Sequence, residues 1–197
     1  HHRNEAVATD YVYFDTPVID DDSTDAQFFH DMQPEVMDVY SCKTDAQLVD
    51  PLEDNIQKRG AIDKLISDHA QSAIDMLRYY IIGDWPSKPY YEHQNPAEWK
   101  YHDVKGKTNQ VLDFTGAPAY AWLFAMIYVC YILNLLASHS LGGIPPMTAL
   151  TGQTPDLSQH LFLYFFWVFV YAPTKSTLTY NEKPGFPSKP TYPTGRC

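Results

Sequence analysis

The sequence predicts an α/β fold, a mixed five-stranded sheet flanked by helices. Three observations point there. Three stretches with strand character open the chain, an amphipathic helix follows them, and a further buried strand follows the helix, giving a β-β-β-α-β order. Each strand candidate is short and bounded by turn-forming residues. The helix carries its apolar residues on one face only, as a helix packed on a sheet should.

The first strand is read over residues 6–16, ending at Thr16-Pro17, and an acidic turn-rich loop runs from Asp20 to Thr24. Ala26 to His30 and Val36 to Cys42 supply strands two and three of an antiparallel meander. Thr44 is the expected N-cap of a helix from Asp45 to about Lys58, with Leu48, Leu52 and Ile56 on one face and Gly60 closing it. Ala61 to Ser67 reads as the next buried strand. Ser72 to Tyr80 is expected to be helical, with Ile74, Leu77 and Ile81 on its buried side, and Tyr80-Ile81-Ile82 to supply the fifth strand. Ser87 to Tyr91 is a Pro-containing connection. Downstream, Asn95 is a good N-cap, Pro96 suits the first helical position, Glu98 falls at N3, and the helix should run to about Phe114 with Gly116 as its stop.

Three carboxylates stand out against this frame. Asp10 lies inside the first strand, against β propensity. Asp68 follows the strand that ends at Ser67, where functional side chains gather in α/β sheets. Glu98 sits in the first turn of the later helix. Each has an ordinary alternative: Asp10 could face solvent on an edge strand, Asp68 could cap a helix, and Glu98 could complete a capping box. A cluster of three carboxylates repels itself; two unit charges about 4 Å apart cost about 4 kcal/mol at an effective dielectric near 20. All-oxygen ligands suit a hard divalent cation that offsets this repulsion.

The order Asp, Asp, Glu on strand, strand end and helix resembles the catalytic core of retroviral and retrotransposon integrases, a ribonuclease-H-like fold. His93-Gln94-Asn95-Pro96-Ala97-Glu98 is similar to the segment leading into their catalytic Glu helix. Gly116 to Asn134 resembles the following long helix of copia-type long-terminal-repeat retrotransposon integrases. Ile144-Pro145-Pro146-Met147-Thr148-Ala149-Leu150-Thr151-Gly152-Gln153-Thr154-Pro155-Asp156-Leu157-Ser158 is similar to the P-x-x-x-L-x-G-x-x-P-x-x-S signature of that group. The resemblance spans roughly residues 6–172. Two departures stand beside it: Asp68-His69-Ala70 replaces the commoner Asp-Asn-Gly, leaving His69 to line the site or simply to sit at the surface, and Asp68 and Glu98 lie closer in sequence than is usual.

The resemblance implies a polynucleotidyl transferase that trims the 3′ ends of element DNA and joins them to target DNA. Asp10, Asp68 and Glu98 would be both catalytic residues and ligands of Mg²⁺ or Mn²⁺, with two ions expected. His102 and Lys105, on the face of Glu98, would contact DNA, as would Gln94 and Asn95; Lys100 and Lys107 are expected to be ordinary solvated lysines. Double-stranded DNA and further copies of the chain are the implied partners, and the nucleus, after a cytoplasmic particle stage, the implied location. Two alternatives stay open: a ribonuclease H or transposase-type nuclease on the same fold, and an inactive remnant acting only as an interaction or dimerisation domain.

Composition constrains these options. Fifteen Tyr, ten Phe and four Trp suit a packed globule. Cys42, Cys130 and Cys197 lack metal-ligand spacing, which argues for a reducing compartment. The net charge of −10 argues against autonomous DNA binding; in the family resembled, flanking domains supply much of that affinity. Much of the excess sits in Asp20-Asp21-Asp22, Asp25 and Asp31, expected in a solvated loop and strand edge. Tyr120 to Ala137 is nearly all apolar, but Asn134 interrupts it and no basic residues flank it, so a buried helix is expected rather than a membrane span. Leu161 to Ala172 is apolar but too short to span. Residues 1–5 are expected to be an N-terminal extension, 6–172 the catalytic core, and 173–197 a Pro-, Thr- and Lys-rich linker toward a C-terminal domain of a longer polyprotein.

Overall fold

The computed structural model describes residues 5–20, 22–44, 47–67, 74–86 and 95–157. Five strands, β1 (Ala6–Tyr13), β2 (Asp25–Asp31), β3 (Met37–Cys42), β4 (Lys64–Ser67) and β5 (Gly83–Pro86), form one sheet in the order β3-β2-β1-β4-β5. The β1–β2 and β2–β3 pairs are antiparallel, whereas β4 runs parallel to both β1 and β5. The helices are α1 (Val49–Arg59), α2 (Ile74–Tyr79), α3 (Pro96–Thr115), α4 (Trp122–Leu135) and α5 (Pro146–Thr151), with a 3₁₀ turn at Ala119–Ala121 leading into α4.

The sheet is covered on both sides because adjacent residues of a strand face opposite ways. Phe28 joins Ala8, Val12, Tyr101, Val104, Trp122 and Met126 in the core beneath α3 and α4. Its neighbour Phe29 joins Val7, Leu52, Ile56, Leu65 and Leu77 beneath α1 and α2. All of β2 is therefore buried. That includes Asp25 and Asp31, at 5% and 2% exposure, which corrects the expectation of a solvated edge. Asp25 accepts a hydrogen bond from the Thr24 hydroxyl at 2.8 Å.

Helix α1 starts at Val49 after Leu48, without a side-chain cap, rather than at Asp45 behind Thr44. Pro51 explains the late start. Proline has no N–H to give to the preceding turn and is tolerated only in a helix's first turn. The apolar face is as expected, with Leu48, Leu52 and Ile56 buried, and Gly60 ends the helix at φ 97°. Arg59 locks α1 to β3: its Nε donates to Asp38 Oδ2 at 2.8 Å and its Nη2 to Oδ1 at 3.1 Å, while Lys58 Nζ donates to Oδ1 at 2.6 Å. Burial works against the Arg59 charge, but Asp38 more than offsets it and holds the guanidinium above its ordinary pKa.

The fifth strand is also displaced, from the expected Tyr80–Ile82 to Gly83–Pro86. Ile81 adopts φ 57° and is 84% exposed, while Ile82 is buried. The Ile81 N–H donates to Arg78 O and that of Ile82 to Leu77 O, at 3.2 and 2.8 Å. These are the paired bonds of a left-handed helix stop, with an apolar contact closing it. Ile82, not Ile81, turns inward as a result.

Helix α4 carries no charged residue, and no helix among the described residues is long and apolar enough to cross a membrane. Its buried Asn134 bridges the main chain of Met37 in β3, accepting from the N–H at 2.8 Å and donating to the carbonyl at 2.7 Å. Cys42 and Cys130 are buried thiols. The expected Ser87–Tyr91 connection, the N-terminal extension up to Asn4, the Leu161–Ala172 run and the 173–197 linker lie outside the described residues.

Candidate active site

β1 is the middle strand of the sheet, so Asp10 does not sit on an edge. It alternates with Ala8 and Val12 on the face that meets α3, opposite Phe28 in register. The ring of Tyr101, from α3, packs on Phe28 at 6.1 Å between centroids. Burial, and then the charge of Asp10, push the Tyr101 hydroxyl up to about 12, so it remains a proton donor beside that carboxylate at neutral pH. Asp10 is half-buried and engaged with its surroundings.

Helix α3 begins as the sequence predicts. Asn95 Oδ1 accepts from the Ala97 N–H at 3.0 Å, Pro96 takes the first helical position, and Gly116 closes the helix at φ 68°. The cap belongs to Asn95; among the described residues Glu98 contributes no side-chain bond to it. The half-buried Glu98 therefore occupies the first turn without a capping role. Asn95 Nδ2 also donates to the Thr9 carbonyl at 3.1 Å, which brings this turn against β1 at the residue before Asp10.

Two turns on, Lys105 Nζ lies 5.7 Å from the ring centres of both Phe14 and Tyr101, and Phe14 in turn stacks on Trp122 at 3.8 Å. His102 is exposed, its ring 5.8 Å from that of Tyr101. The face holding Glu98, Tyr101, His102 and Lys105 is thus continuous. Two expectations are corrected here. Asn95 is 4% exposed, with its amide oxygen and nitrogen each bonded internally, so it is buried in the fold rather than displayed to DNA. Lys100 is not a free surface lysine: its Nζ lies 3.7 Å from Glu35 Oε2. Lys107 pairs with Asp103 one turn back.

Asp68 and Gln94 lie outside the described residues. What surrounds Asp68 in the chain is described: β4 runs parallel to β1 with Ala8 beside Ile66, and the buried Ser67 is its last residue. Among the described residues no three His, Cys, Asp or Glu side chains converge as a metal site. Asp10 and Glu98 alone offer two half-buried carboxylates, an all-oxygen donor set that fits a hard divalent cation once a third ligand joins. Tyr101 escaped the sequence reading, although its position three residues after Glu98 places it on the same helical face.

A mixed sheet in this order, with α1 and α2 on one face and α3 and α4 on the other, is the ribonuclease-H-like fold. Solved structures that share it include the catalytic core domain of HTLV-2 integrase in complex with magnesium. Its dimeric form matches at a TM-score of 0.56 and 13% identity over 76% of this chain and 97% of that one. The trimeric form matches at 0.55 and 11%, over 75% and 96%. A simian T-cell lymphotropic virus intasome in complex with the PP2A regulatory subunit B56 gamma matches at 0.62 and 11%, over 79% of this chain; the match spans 60% of that longer chain. No protein-family model and no curated protein matches the sequence.

Proposed function

We propose that this chain is the catalytic core of a copia-type retrotransposon integrase, which processes the 3′ ends of element DNA and transfers them into target DNA. The observation that carries this reading is the docking of the Glu98 helix turn, through Asn95, on the middle strand at Thr9, the residue before Asp10, within an integrase-type fold. Asp10, Asp68 and Glu98 would hold Mg²⁺ or Mn²⁺. Held there, such metal would supply activation of the attacking oxygen and stabilisation of the leaving one in an in-line displacement at phosphorus, with two ions expected. The chain's own part is positioning. Tyr101 backs the Asp10 carboxylate, and His102 and Lys105 present a basic, partly aromatic face to a DNA end. Residues 6–172 would form this core and 173–197 a linker from it, in a protein acting in the nucleus.

Self-association belongs to the same proposal. Ile127 and Tyr131 expose 41% and 42% of their surface on a helix with no charge. Beside them an open groove of about 840 Å³ runs between α3 and α4, lined by Val111, Phe114, Tyr128, Ile132 and Leu136 among others. A helix apolar on every side is normally covered, and a second copy would cover it.

An inactive folded remnant is the second reading, favoured by the net charge of −10, the short Asp68–Glu98 spacing and the Asp68-His69-Ala70 segment. A strand-transfer assay with a DNA end, a plasmid target and Mg²⁺ or Mn²⁺ separates the two. Joining should vanish in Asp10→Asn, Asp68→Asn and Glu98→Gln while circular dichroism is unchanged; full activity in Glu98→Gln sinks the assignment. A folded wild type that neither joins DNA nor melts higher with metal is the remnant.

A further inference from the structure

An N-cap needs only an acceptor. Ser, Thr and Asp serve as well as Asn, because the cap's task is to receive a main-chain N–H in the helix's first turn. Asn95 does this with Oδ1, toward Ala97. Its amide also carries donors, and here Nδ2 reaches the Thr9 carbonyl, 86 residues away in sequence, in a buried setting. Helix initiation does not account for that second bond.

The bond's two ends are informative. The Thr9 carbonyl belongs to the peptide that links Thr9 to Asp10. Thr9 is itself immobilised on β2: its Oγ1 donates to the Phe28 carbonyl at 2.8 Å and accepts from Gln27 Nε2 at 2.6 Å. At the other end, the cap fixes the amide to the turn that holds Glu98. Turning the amide over would set oxygen against oxygen at Thr9 and nitrogen against the N–H of Ala97, so its orientation is determined. One side chain thus spans from the Thr9 carbonyl, in the peptide preceding Asp10, to the helix turn of Glu98.

We infer that Asn95 is a positioning residue: acting through the Thr9 carbonyl, it sets the placement of the Glu98 helix turn relative to Asp10. This rests on the proposed metal-dependent function, and it gives that site a requirement for a donor at residue 95. Residues that orient metal ligands typically change metal affinity by about 10–100-fold when replaced.

The test compares Asn95→Ser with Asn134→Ser. Serine keeps a cap acceptor at position 95 but has no donor that reaches Thr9. Asn134 is the matched control, since it also pins a helix to strand main chain through both ends of its amide, but at β3. Two curves are recorded against Mg²⁺ and Mn²⁺ concentration for each protein: the melting temperature and the strand-transfer rate. Asn95→Ser should move both midpoints to about tenfold or more higher metal, with the rate recovering at saturation. Asn134→Ser should lower the melting temperature without moving either midpoint.

Asp is the second variant should Ser leave too large a gap. Asn95→Asp keeps size and acceptor and lacks the donor. Its added charge would attract cations, so a weakened metal response in it comes from the lost bond. Midpoints of Asn95→Ser and Asn95→Asp that match wild type overturn the inference and leave the proposed function standing. Equal shifts in the Asn95 and Asn134 variants overturn it as well, since general loosening would then suffice. A wild-type melt indifferent to metal overturns the proposed site, and the inference with it.

Discussion

Replacing Asp38 by Asn should destabilise the chain by about 2–4 kcal/mol. Asp38 is 7% exposed, and three donors converge on its carboxylate: Arg59 Nε and Nη2, and Lys58 Nζ. Asparagine keeps the shape but removes the charge, and it turns an NH₂ group toward those donors. Removing one partner of a buried ion pair costs about 3–5 kcal/mol, because the other charge is left buried and uncompensated. Here the Arg59 side chain is 12% exposed and that of Lys58 52%, so Lys58 can turn to water and Arg59 bears most of the loss. That places the cost slightly below the fully buried range. For a domain of this size a 3 kcal/mol loss lowers the melting temperature by roughly 6–12 °C.

Urea unfolding followed by circular dichroism measures this directly. The double variant Asp38→Leu with Arg59→Met should recover most of the loss, since well-packed apolar groups often replace a buried pair at no cost. Arg59 Nη1 also donates to Met147 Sδ at 3.8 Å, so amide exchange in α5 should speed up in Asp38→Asn. A loss below about 1 kcal/mol, or a difference abolished by molar salt, would show the pair to be solvated and refute the reasoning.

Three further outcomes are expected. His30 is buried with neither ring nitrogen bonded; burial first and Lys100 second lower its pKa to about 4, against the opposing pull of Glu35. The unfolded chain then binds more protons between about pH 4 and 6.5, so stability falls as pH falls through that window, by about 3 kcal/mol in total. His30→Leu should remove this part of the acid sensitivity, read as the difference between wild-type and variant urea midpoints at each pH; parallel curves would disprove it. Ile81→Gly should stabilise by about 1 kcal/mol in urea, because glycine meets φ 57° without the cost a β-branched residue bears; a destabilised variant would mean that the Ile81 side chain contributes more than its exposure suggests. Tyr131→Glu should weaken self-association at least about tenfold in sedimentation velocity if α4 is the contact face. Unchanged sedimentation of an associating wild type would move the interface elsewhere.

The order of elements along the chain and the two ends of α3 were legible because they depend on local chemistry. The alternation around Phe28 and Phe29, the apolar face of α1, and the Asn95-Pro96 start and Gly116 stop of α3 are all stated by neighbouring residues. Errors fell where a distant contact or a backbone conformation overrode composition. Tyr80-Ile81-Ile82 has ideal strand composition, yet the α2 stop places Ile81 in a left-handed conformation that favours glycine, and the strand slides along the chain. The start of α1 was legible after all, since Pro51 forbids the longer helix. Asp25 and Asp31 looked like surface because charge normally is; β2 buries them by lying between two other strands.

The candidate site divides in the same way. Asp10 and Glu98 could be picked out because each breaks or fits a local rule: an Asp inside a strand, a Glu three residues after a cap. What joins them could not. The Asn95–Thr9 bond crosses 86 residues, and from sequence Asn95 reads as a cap and nothing more. Tyr101 reads as one more core aromatic until the register sets Phe28 opposite Asp10. The corrected role of Asn95 follows from this division. A residue expected to touch DNA because it lies next to Glu98 is instead consumed in placing the Glu98 helix, and under the proposed function DNA contact would fall to His102 and Lys105. This makes a sharp demand: His102→Ala and Lys105→Gln should weaken DNA binding with the metal midpoint unmoved, whereas Asn95→Ser should do the reverse. If all three variants lost DNA binding alike, positioning and contact would not be separable on this face, and the assignment of Asn95 to the first task would fail.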